Sequence, residues 1–404
     1  MRVLRFSRYL KECGWEPIVL CVEGGAKHEP RDHGLVQEIP SDILVERVKC
    51  LEPDNYTDSW DIPREKVVRN LFKTFDKILF PDDRALWIKP VTKRALSLIK
   101  KHKIDVVWAT AQPWSTLVAG RNIKQASGLP LVLDFRDDWT TSNSDFRKIK
   151  RLAKEQALEQ TVLSQADAVV SVTPNIVEEL QKRAPDNLTP EQFHYIPNGF
   201  DPEHFAHPPT EESKEFTIVH AGGLYHLRPI TPLLKVLDAW FDKHPERANS
   251  VVVKLAGRTT DEVKEEIAAS RWASQFQLLG FLEHKRVRRL IMGAQANLLM
   301  IEQVKTAPWL FTGKAFEYIG AGRPIVMIGP DPSPLAQILR TTGLGHISGY
   351  HRPEETAEQL ERLFLDGPPD LTPENLAAID QYNARLQTAR LGEIFMEVTS
   401  GREK

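Results

Sequence analysis

Short runs of apolar and β-branched residues alternate along the chain with longer segments whose apolar positions recur every three or four residues. The short runs predict β-strands and the longer segments predict amphipathic helices, because side chains repeat every second residue along a strand and about every 3.6 residues along a helix. In the first half, the predicted strands are Pro17–Val22, Ile104–Trp108, Leu131–Asp134, Ala168–Ser171 and His194–Pro197. The predicted helices are Arg2–Cys13, Lys89–His102, Trp114–Ala126, Lys148–Gln165 and Pro174–Arg183.

A polar, proline-containing stretch at Asp201–Lys214 interrupts this alternation and predicts a linker. Beyond it, the predicted strands are Glu215–His220, Val251–Ala256, Gln277–Leu279, Ala296–Ile301, Pro324–Ile328 and Gly345–Ile347. The predicted helices are Thr231–His244, Thr260–Arg271, Lys285–Gly293, Gly313–Gly320, Pro332–Thr341 and Pro353–Leu365. The tail, Thr372–Val398, predicts one long closing helix.

The βαβα order predicts an α/β fold made of two Rossmann-like, doubly wound parallel-sheet domains that face a cleft. We expect an N-terminal domain over residues 1–205 and a C-terminal domain over 206–371. Residues 372–404 are expected to form a C-terminal helix that packs back toward the N-terminal domain. Ligands of such folds bind outside the carboxyl ends of the strands, so we expect the site in the cleft.

The opening of the chain departs from this scheme. A doubly wound domain begins with a strand and a glycine-rich turn, but here the first predicted element is already the helix Arg2–Cys13. We therefore expect that the first strand is missing and that the sequence lacks about 20–25 residues, most simply through a misassigned start at Met1. The alternative is that another segment of the chain fills the place of that strand.

Composition and charge narrow the class of protein. Of 404 residues, 41% are hydrophobic and 27% are charged, and the net charge is −2. This balance excludes a disordered chain and a protein that binds nucleic acid by bulk positive charge. Three cysteines without a CxxC pair make a disulfide framework or zinc site unexpected, and no apolar signal region follows Met1. We expect a cytoplasmic protein.

The predicted helix at Gly313 carries a first pattern with chemical meaning. Thr312 is a suitable N-cap, and the free backbone N–H groups of a helix start attract anions. Lys314 adds a positive charge there, and Glu317 lies about one turn further along the same face. A phosphate at the helix end and a ribose beside Glu317 would fit this spacing. The alternative is an ordinary helix with a surface pair of Lys314 and Glu317.

A second pattern follows the strand Glu215–His220. Gly222 and Gly223 come directly after it, and glycines there let a ligand approach the backbone. Arg228 lies five residues further on, and its guanidinium fork matches the oxygens of a diphosphate. The alternative is a plain loop between a strand and a helix.

These patterns stand among longer motifs, Phe80–Asp83 with Trp87, Ile104–Thr110, Asp134–Trp139, His220–Leu234 and Lys314–Pro324. In their order and spacing, the chain resembles the GT-B glycosyltransferases, specifically the retaining glycosyltransferase family four. Within that family it looks closest to the bacterial cell-surface polysaccharide branch. The segment Asp134–Trp139 is nearly the "DFRDPW" signature of the branch, with Asp138 in the place of proline.

The resemblance implies how a nucleotide-diphosphate sugar is bound. Arg228 and Lys314 would hold the diphosphate, Glu317 the ribose, and the backbone at Phe281 the nucleobase. The full implied donor set is Gly222, Gly223, Arg228, Phe281, Thr312, Gly313, Lys314 and Glu317.

The resemblance also implies an acceptor side and a catalytic set. Arg136, Asp137 and Trp139 would lie at the acceptor side, although Asp137 could instead pair with Arg136 as part of the fold. The implied catalytic residues are Arg228, Lys314 and Asp137.

One departure from the family pattern concerns the sugar. The family has a glutamate eight residues before the position of Glu317, and this chain has Trp309 there. Sugar recognition is therefore expected to differ. The chain contains no DxD motif, so we expect metal-independent chemistry without a cofactor, in which Arg, Lys and a helix dipole stabilise the leaving diphosphate.

The segment Arg64–Phe80 has an apolar stripe at helical spacing, and Arg64–Lys103 contains 12 Lys and Arg against 4 Asp and Glu. A basic amphipathic helix of this kind can lie on an anionic membrane surface. The alternative is a helix that packs on the core and exposes its basic face to solvent.

Together the sequence predicts a glycosyltransferase, of hexosyltransferase type, that acts at the inner face of the cytoplasmic membrane. It would transfer sugar to a glycan or lipid-linked acceptor in cell-surface polysaccharide synthesis, with retention of configuration implied by the resemblance alone. Two alternatives remain, an isomerase similar to the nucleotide-sugar 2-epimerases and an inactive nucleotide-sugar-binding relic.

Overall fold

The structure is a computed structural model of the chain and describes residues 1–23, 32–50, 79–140, 149–207, 209, 215–304 and 311–400. Its strands are β1 Ile18–Glu23, β2 Leu44–Lys49, β3 Val107–Ala111, β4 Leu131–Phe135, β5 Ala168–Ser171, β6 Phe193–Tyr195, β7 Phe216–Ala221, β8 Val251–Ala256, β9 Phe276–Gly280, β10 Ala296–Met300, β11 Ile325–Ile328 and β12 Gly345–Ser348. Its helices are α1 Arg2–Tyr9, α2 His33–Gln37, α3 Ile88–His102, α4 Ser115–Ser127, α5 Ile149–Leu163, α6 Pro174–Lys182, α7 Thr231–Lys243, α8 Asp261–Ala269, α9 His284–Met292, α10 Gly313–Ala321, α11 Pro334–Thr341, α12 Pro353–Asp366, α13 Pro373–Asp380 and α14 Ala384–Ser400.

The chain forms two compact units. The first, here called the C-terminal unit, contains Met1–Arg5, Asp32–Glu38 and Asn198–Gln387. The second, the N-terminal unit, contains Phe6–Arg31, Ile39–Pro197 and Thr388–Lys404. The predicted domain boundaries at 205/206 and 371/372 stay predictions.

The C-terminal unit is built on a six-stranded parallel sheet in the order β12-β11-β10-β7-β8-β9. Every residue of β7 and β10 is buried, as expected for central parallel strands covered by helices on both faces. Ile218 packs on one face with Trp240 of α7, and the next residue, Val219, packs on the other face with Phe316 of α10. The strand periodicity thus builds two cores in this unit.

The N-terminal unit contains two parallel sheets, one of β1 and β2 and one in the order β3-β4-β5-β6. All five residues of β4 are buried. Leu133 packs on one face with Trp139, while Val132 packs on the other with Phe6 of α1 and Leu391 of α14. The prediction of an α/β fold with two Rossmann-like parallel-sheet domains is confirmed.

Several elements differ from the prediction. The strand β2 and the helix α2 were not predicted. In β2, the charged residues at the centre mask the apolar pattern of the strand. The strand β3 begins at Val107 rather than Ile104, where the Val107 N–H donates to the Pro130 carbonyl and pairing with β4 starts.

The prediction of one closing helix over Thr372–Val398 is wrong. The helix is interrupted after Asp380, where the backbone turns to pair with Phe200. The Phe200 N–H donates to the Tyr382 carbonyl at 2.9 Å, and the Ala384 N–H donates to the Phe200 carbonyl at 2.9 Å. A continuous helix would use these Tyr382 and Ala384 groups internally, so the break follows from the pairing.

No strand precedes α1 among the described residues, and within them no hydrogen bond joins β1 to β3. Most of the predicted basic stripe, residues 64–78, lies outside the described residues. The described part of that region, α3, buries Val91, Ala95 and Leu98 and exposes lysines along the opposite face. In the described part of the chain, no helix has the length and apolar character required to cross a bilayer.

Candidate functional site

The start of α10 lies at the carboxyl end of the six-stranded sheet. Thr312 is extended at the N-cap but its side chain forms no capping hydrogen bond. The helix begins at Gly313, as predicted, and the Thr312 side chain does not cap its first backbone N–H groups. A Cβ added at Gly313 would meet open space. This helix end can accept an anion, which the helix dipole also favours.

Lys314 projects from this helix start into the protein interior. Its Nζ atom is buried, and among the described residues no hydrogen-bond partner reaches it. Burial, and next the charge of Arg228, lower the pKa of Lys314 to about 7, against the opposing charge of Glu302. A buried ammonium without a partner is unfavourable in a folded protein, so this position is suited to an anion that is brought by a ligand.

Only glycine fits at position 222, beside Lys314. Its φ of 138° lies in a region that side chains disfavour, and a Cβ there would overlap Lys314 Nζ. The next residue, Gly223, accepts a hydrogen bond on its carbonyl from Arg228 Nη1 at 3.1 Å. The glycine pair thus shapes the loop after β7 around both cations.

Arg228 is held by Glu302, which the sequence analysis did not identify. Arg228 Nη2 lies 3.2 Å from Glu302 Oε1, and the Tyr225 hydroxyl donates to the same carboxylate oxygen. The Arg228 Nε atom is buried without a hydrogen-bond partner among the described residues. Glu302 follows the end of β10, so the rule that sites lie at strand ends could have found it.

The loop that carries Glu302 is itself fixed. The Gln303 N–H donates to the Leu227 carbonyl at 3.0 Å, and the Tyr350 hydroxyl donates to the Glu302 carbonyl at 2.7 Å. Burial, and next the charge of Glu302, raise the pKa of Tyr350 to about 12, so this hydroxyl keeps its proton. Arg228 is therefore oriented in advance of any ligand.

Glu317 does not pair with Lys314, so the surface pair considered above is wrong. Its Oε1 lies 2.7 Å from Arg5 Nη2 and 3.2 Å from His284 Nε2. Burial opposes its charge, but the hydrogen bonds and charges of His284 and Arg5 outweigh burial and lower the pKa of Glu317 to about 2. Glu317 is thus a carboxylate at neutral pH.

The side chains packed beneath Arg228 and Lys314 are buried and uncharged. His220 is completely buried, and its Nδ1 lies 2.9 Å from the Leu298 carbonyl. Burial, and next the charges of Lys314 and Arg228, lower the pKa of His220 well below its usual value, which keeps the ring neutral. The Tyr318 hydroxyl accepts from the Ala221 N–H at 2.8 Å and joins α10 to the end of β7.

The structure therefore brings Gly222, Gly223, Arg228 and Lys314 together at the helix start formed by Thr312 and Gly313. Glu317 lies one turn along the same helix. Phe281 follows Gly280 at the carboxyl end of β9, three strands from β10 in the sheet order, and is 51% exposed. Its place at the strand end agrees with a ligand-facing position.

In the N-terminal unit, Asp137 and Arg136 follow β4. Asp137 Oδ2 accepts from Gln112 Nε2 at 3.1 Å, and Arg136 Nη2 donates to the Gln112 carbonyl at 2.5 Å. Burial raises the pKa of Asp137, while the charge of Arg136 and the Gln112 hydrogen bond oppose that effect. Arg136 is thus used to hold the loop of Gln112, and Asp137 remains a candidate acceptor-side residue.

Trp139 is a correction to the predicted acceptor side. Its side chain is completely buried and stacks on Trp114, with ring centroids 4.9 Å apart and planes 2° from parallel. A residue without exposed surface cannot contact an acceptor directly, so Trp139 supports the core under the Asp137 loop.

Asp138, which stands where the family signature has proline, has a structural role. Its Oδ1 lies 2.7 Å from Arg183 Nη2, and Arg183 Nε lies 3.1 Å from Glu159 Oε2. Thr140 donates to the same Glu159 oxygen at 2.9 Å. This group, here called the Arg183 cluster, is a buried network in which the charges have partners.

The described residues contain no group of three His, Cys, Asp or Glu side chains that could hold a metal ion. Metal-independent chemistry stays a prediction. Trp309 lies outside the described residues, so the departure from the paired-glutamate motif also stays a sequence observation.

Comparison with known proteins decides the family. Residues 1–204 match the model of glycosyltransferase family 4, which is about half of the chain. The chain belongs to glycosyltransferase family 4. The match covers Asp137 and the other motifs of the first half, whereas the donor-side residues Arg228, Lys314 and Glu317 lie beyond it.

Solved structures give this family 4 glycosyltransferase the GT-B fold. A sucrose-phosphate synthase from Thermosynechococcus elongatus matches with a TM-score of 0.64 and 14% identity, over 99% of this chain and 93% of its own. HepE of Anabaena, solved in complex with UDP, matches with a TM-score of 0.61 and 14% identity, over 97% and 94%. A trehalose-phosphate synthase (UDP-forming) from Burkholderia vietnamiensis matches with a TM-score of 0.64 and 10% identity, over 98% and 96%. Among curated protein sequences, none matches significantly.

Proposed function

We propose that this glycosyltransferase transfers a sugar from a nucleotide-diphosphate sugar to a glycan or lipid-linked acceptor in cell-surface polysaccharide synthesis. The observation that carries the proposal is the buried, unpartnered ammonium of Lys314 beside Arg228 at the start of α10. Two cations and the N-terminus of a helix at one point form a site for a diphosphate. The UDP complex of HepE, a structural neighbour, is consistent with this donor class.

The donor would extend from this point along two elements. The diphosphate would lie between Arg228 and Lys314, the ribose beside Glu317, and the nucleobase near the backbone of Phe281. Arg5 and His284 already hydrogen-bond the Glu317 carboxylate, so a ribose hydroxyl would use its remaining acceptor capacity or replace one of these donors.

The same residues account for catalysis. Cleavage of the bond between sugar and phosphate leaves negative charge on the diphosphate, and fixed positive groups stabilise that charge more than they stabilise the intact donor. Arg228 and Lys314 would supply this stabilisation without a metal ion or cofactor. Asp137 would act on the acceptor side, and a retaining outcome is part of the proposal.

We also propose that the enzyme acts at the inner face of the cytoplasmic membrane, where lipid-linked acceptors are held. The exposed lysines of α3 and the basic composition of Arg64–Lys103 support this localisation. We expect binding to vesicles with anionic lipids that weakens as salt is raised. Equal partition to neutral vesicles would contradict this part of the proposal.

The experiment for the activity itself combines binding and turnover. UDP-, GDP- and dTDP-sugars are screened by thermal shift, because a ligand at 100 times its dissociation constant stabilises by about 2.7 kcal/mol. The stabilising donor is then incubated with and without membrane extract as the acceptor source. Transfer that requires the extract and disappears in Lys314→Met, but not in the exposed control Lys235→Met, supports the proposal.

Other outcomes point to the alternatives. A sugar that is epimerised without any acceptor indicates an isomerase. Stabilisation by a donor with no turnover under either condition indicates a binding protein without catalysis. No stabilisation by any nucleotide sugar contradicts the assigned donor site.

A further inference from the structure

Arg288 of α9, which is 7% exposed, lies at the centre of a side-chain cluster in the C-terminal unit. Its Nη1 atom lies 2.8 Å from Nδ1 of His284 and 3.3 Å from Nδ1 of His204, and its Nη2 atom donates to Oε1 of Glu38 at 2.8 Å. These four residues are here called the Arg288 cluster. The cluster reaches the candidate donor site, because His284 also contacts Glu317.

Arg288 determines which ring nitrogen of each histidine carries the proton. A guanidinium group donates hydrogen bonds and cannot accept them, so the two Nδ1 atoms that face Arg288 are acceptors. A neutral histidine ring whose Nδ1 accepts carries its proton on Nε2. His284 Nε2 lies 3.2 Å from Glu317 Oε1. His204 Nε2 lies 3.4 Å from Glu38 Oε2. In each ring, the protonated nitrogen therefore faces a carboxylate.

The main chain of His284 is held as well. Its N–H donates to Oδ2 of Asp32 at 2.6 Å, and Oδ1 of the same carboxylate accepts from the Gly34 N–H at 2.9 Å. Asp32 thus binds the start of α9, where the N-cap residue Glu283 forms no capping hydrogen bond. Contacts at the main chain and at Nδ1 together hold the His284 ring in one orientation toward Glu317.

The contacts of Glu317 are divided unequally between its two oxygens. Arg5 Nη2 and His284 Nε2 both contact Oε1, at 2.7 and 3.2 Å. Within the described residues, Oε2 has no hydrogen-bond partner. Two donors hold Oε1 in place, so the carboxylate can present Oε2 to a hydroxyl group of a ligand.

We infer that His284 and Arg288 are positioning residues for Glu317. Arg288 holds His284 in the tautomer that donates from Nε2, and His284 holds the Glu317 carboxylate in the orientation that binds the donor. Neither residue contacts the donor in this arrangement, so both act on binding through Glu317. The last step rests on the proposed function, whereas the tautomer is a property of the protein without ligand.

The first test measures the tautomer without any ligand. Histidine rings labelled with nitrogen-15 are followed at pH 8 by long-range proton–nitrogen correlation, which distinguishes protonated from unprotonated ring nitrogens. His284→Gln assigns the signal of His284. We expect a proton on Nε2 of His284 in the wild type, and a mixture of tautomers in Arg288→Met, where Nδ1 has lost its donor.

Two results of this measurement would overturn the inference. One is a proton on Nδ1 of His284 in the wild type, and the other is an unchanged tautomer in Arg288→Met. If Arg288→Met does not fold, because Glu38 is left without its cation, the double variant with Glu38→Gln is measured in its place.

The second test separates positioning of Glu317 from a structural role of the ring. The side-chain amide nitrogen of glutamine lies near the place of Nε2 in histidine, whereas that of asparagine lies near the place of Nδ1. His284→Gln therefore keeps a donor to Glu317 and His284→Asn removes it, although both remove the ring. Lys285→Gln, at an exposed position of the same helix, is the control.

Turnover is measured with membrane extract as the acceptor source and with whichever of the UDP-, GDP- and dTDP-sugars stabilises the protein. We expect His284→Asn to raise KM for the donor about fivefold with kcat nearly unchanged, because the contact it weakens binds the donor and not the reacting bond. His284→Gln should raise KM by less than about twofold, and Lys285→Gln should change neither constant.

The outcomes separate this inference from the proposed function. Equal increases in KM for His284→Asn and His284→Gln would show that the ring has only a structural role, and an unchanged KM in His284→Asn would show that Glu317 does not need it. Either result overturns the inference while the enzyme still transfers sugar. If no nucleotide sugar binds the wild type, the proposed function fails and the positioning role fails with it.

Discussion

The two units each hold a half-buried arginine among charged groups, but the partners of the two arginines differ. In the Arg183 cluster, a single guanidinium contacts both Asp138 and Glu159, and Thr140 completes the hydrogen bonding of Glu159. Around Arg228, a single carboxylate, Glu302, faces two cations, and Lys314 Nζ has no partner among the described residues. A buried network with an unpartnered positive charge indicates a place for a ligand anion, and a network in which each charge has a partner indicates a structural role.

The largest expected effect concerns the Arg183 cluster. Arg183→Met removes the cation and leaves two buried carboxylates without it, so we expect the free energy of unfolding to fall by about 3–5 kcal/mol. Chemical denaturation measures the change. The control is Lys243→Met, which removes an exposed pair with Glu358 and should leave the free energy of unfolding nearly unchanged. Equal effects of the two substitutions would contradict a structural role for the Arg183 cluster.

The matching substitution at Lys314, beside Arg228, should change the free energy of unfolding in the opposite direction. Lys314→Met removes a buried charge that the fold disfavours, so we expect the free energy of unfolding to rise by about 1–2 kcal/mol at pH 7. The pKa of Lys314 is about 7 in the folded protein and higher in the unfolded chain. Above pH 7 the unfolded chain therefore binds more protons than the folded protein, so the free energy of unfolding of the wild type should rise with pH. Denaturation of both proteins between pH 6 and 9 checks this slope. A destabilised variant would show that Lys314 has a structural role.

Turnover should depend on Arg228. Arg228→Ala removes the charge-assisted hydrogen bond that we propose to the leaving diphosphate, which would be worth about 1.4 kcal/mol or more, so we expect transfer to slow by at least about tenfold. Initial rates with saturating donor provide the measurement. Transfer at the wild-type rate would remove Arg228 from the site.

Glu302 should have the smallest effect, since its assigned role is to orient Arg228 rather than to bind the donor. Glu302→Gln keeps the shape of the side chain but weakens its contact with Arg228, and we expect turnover to fall about threefold. In the Arg228→Ala background, the same substitution should have no further effect. Independent, additive losses would contradict a role that acts through Arg228.

The fold could be predicted from the sequence because the strand runs and helical stripes are regular. The strands β5 and β8 were predicted with their observed bounds, since each contains consecutive valines in a short apolar run. The break between α13 and α14 could not be predicted, because it depends on the pairing of Phe200 with residues nearly two hundred positions away. Long-range pairing leaves no local pattern.

In the candidate site, too, residues with a local sequence pattern could be predicted, and contacts between distant segments could not. The sequence indicates Gly222, Arg228 and Lys314 as site candidates because their residue types suit a diphosphate. Trp139 was misplaced, because an aromatic residue in a loop after a strand has the same sequence pattern whether it is exposed or stacked in the core. The contacts of Glu317 with Arg5 and His284 join segments that only folding brings together.

Lys314 is, in our proposal, the cation with which an incoming diphosphate pairs. An anion that binds there would raise the pKa of Lys314 from about 7, so the protein should take up a proton on binding. Calorimetric titration with the stabilising nucleotide sugar at pH 8, in two buffers of different ionisation enthalpy, measures this proton uptake directly. Both phosphates of the donor are esterified and do not titrate at this pH, so the donor itself does not contribute. We predict uptake of close to one proton by the wild type and none by Lys314→Met. Tight binding by the wild type without proton uptake would contradict the account.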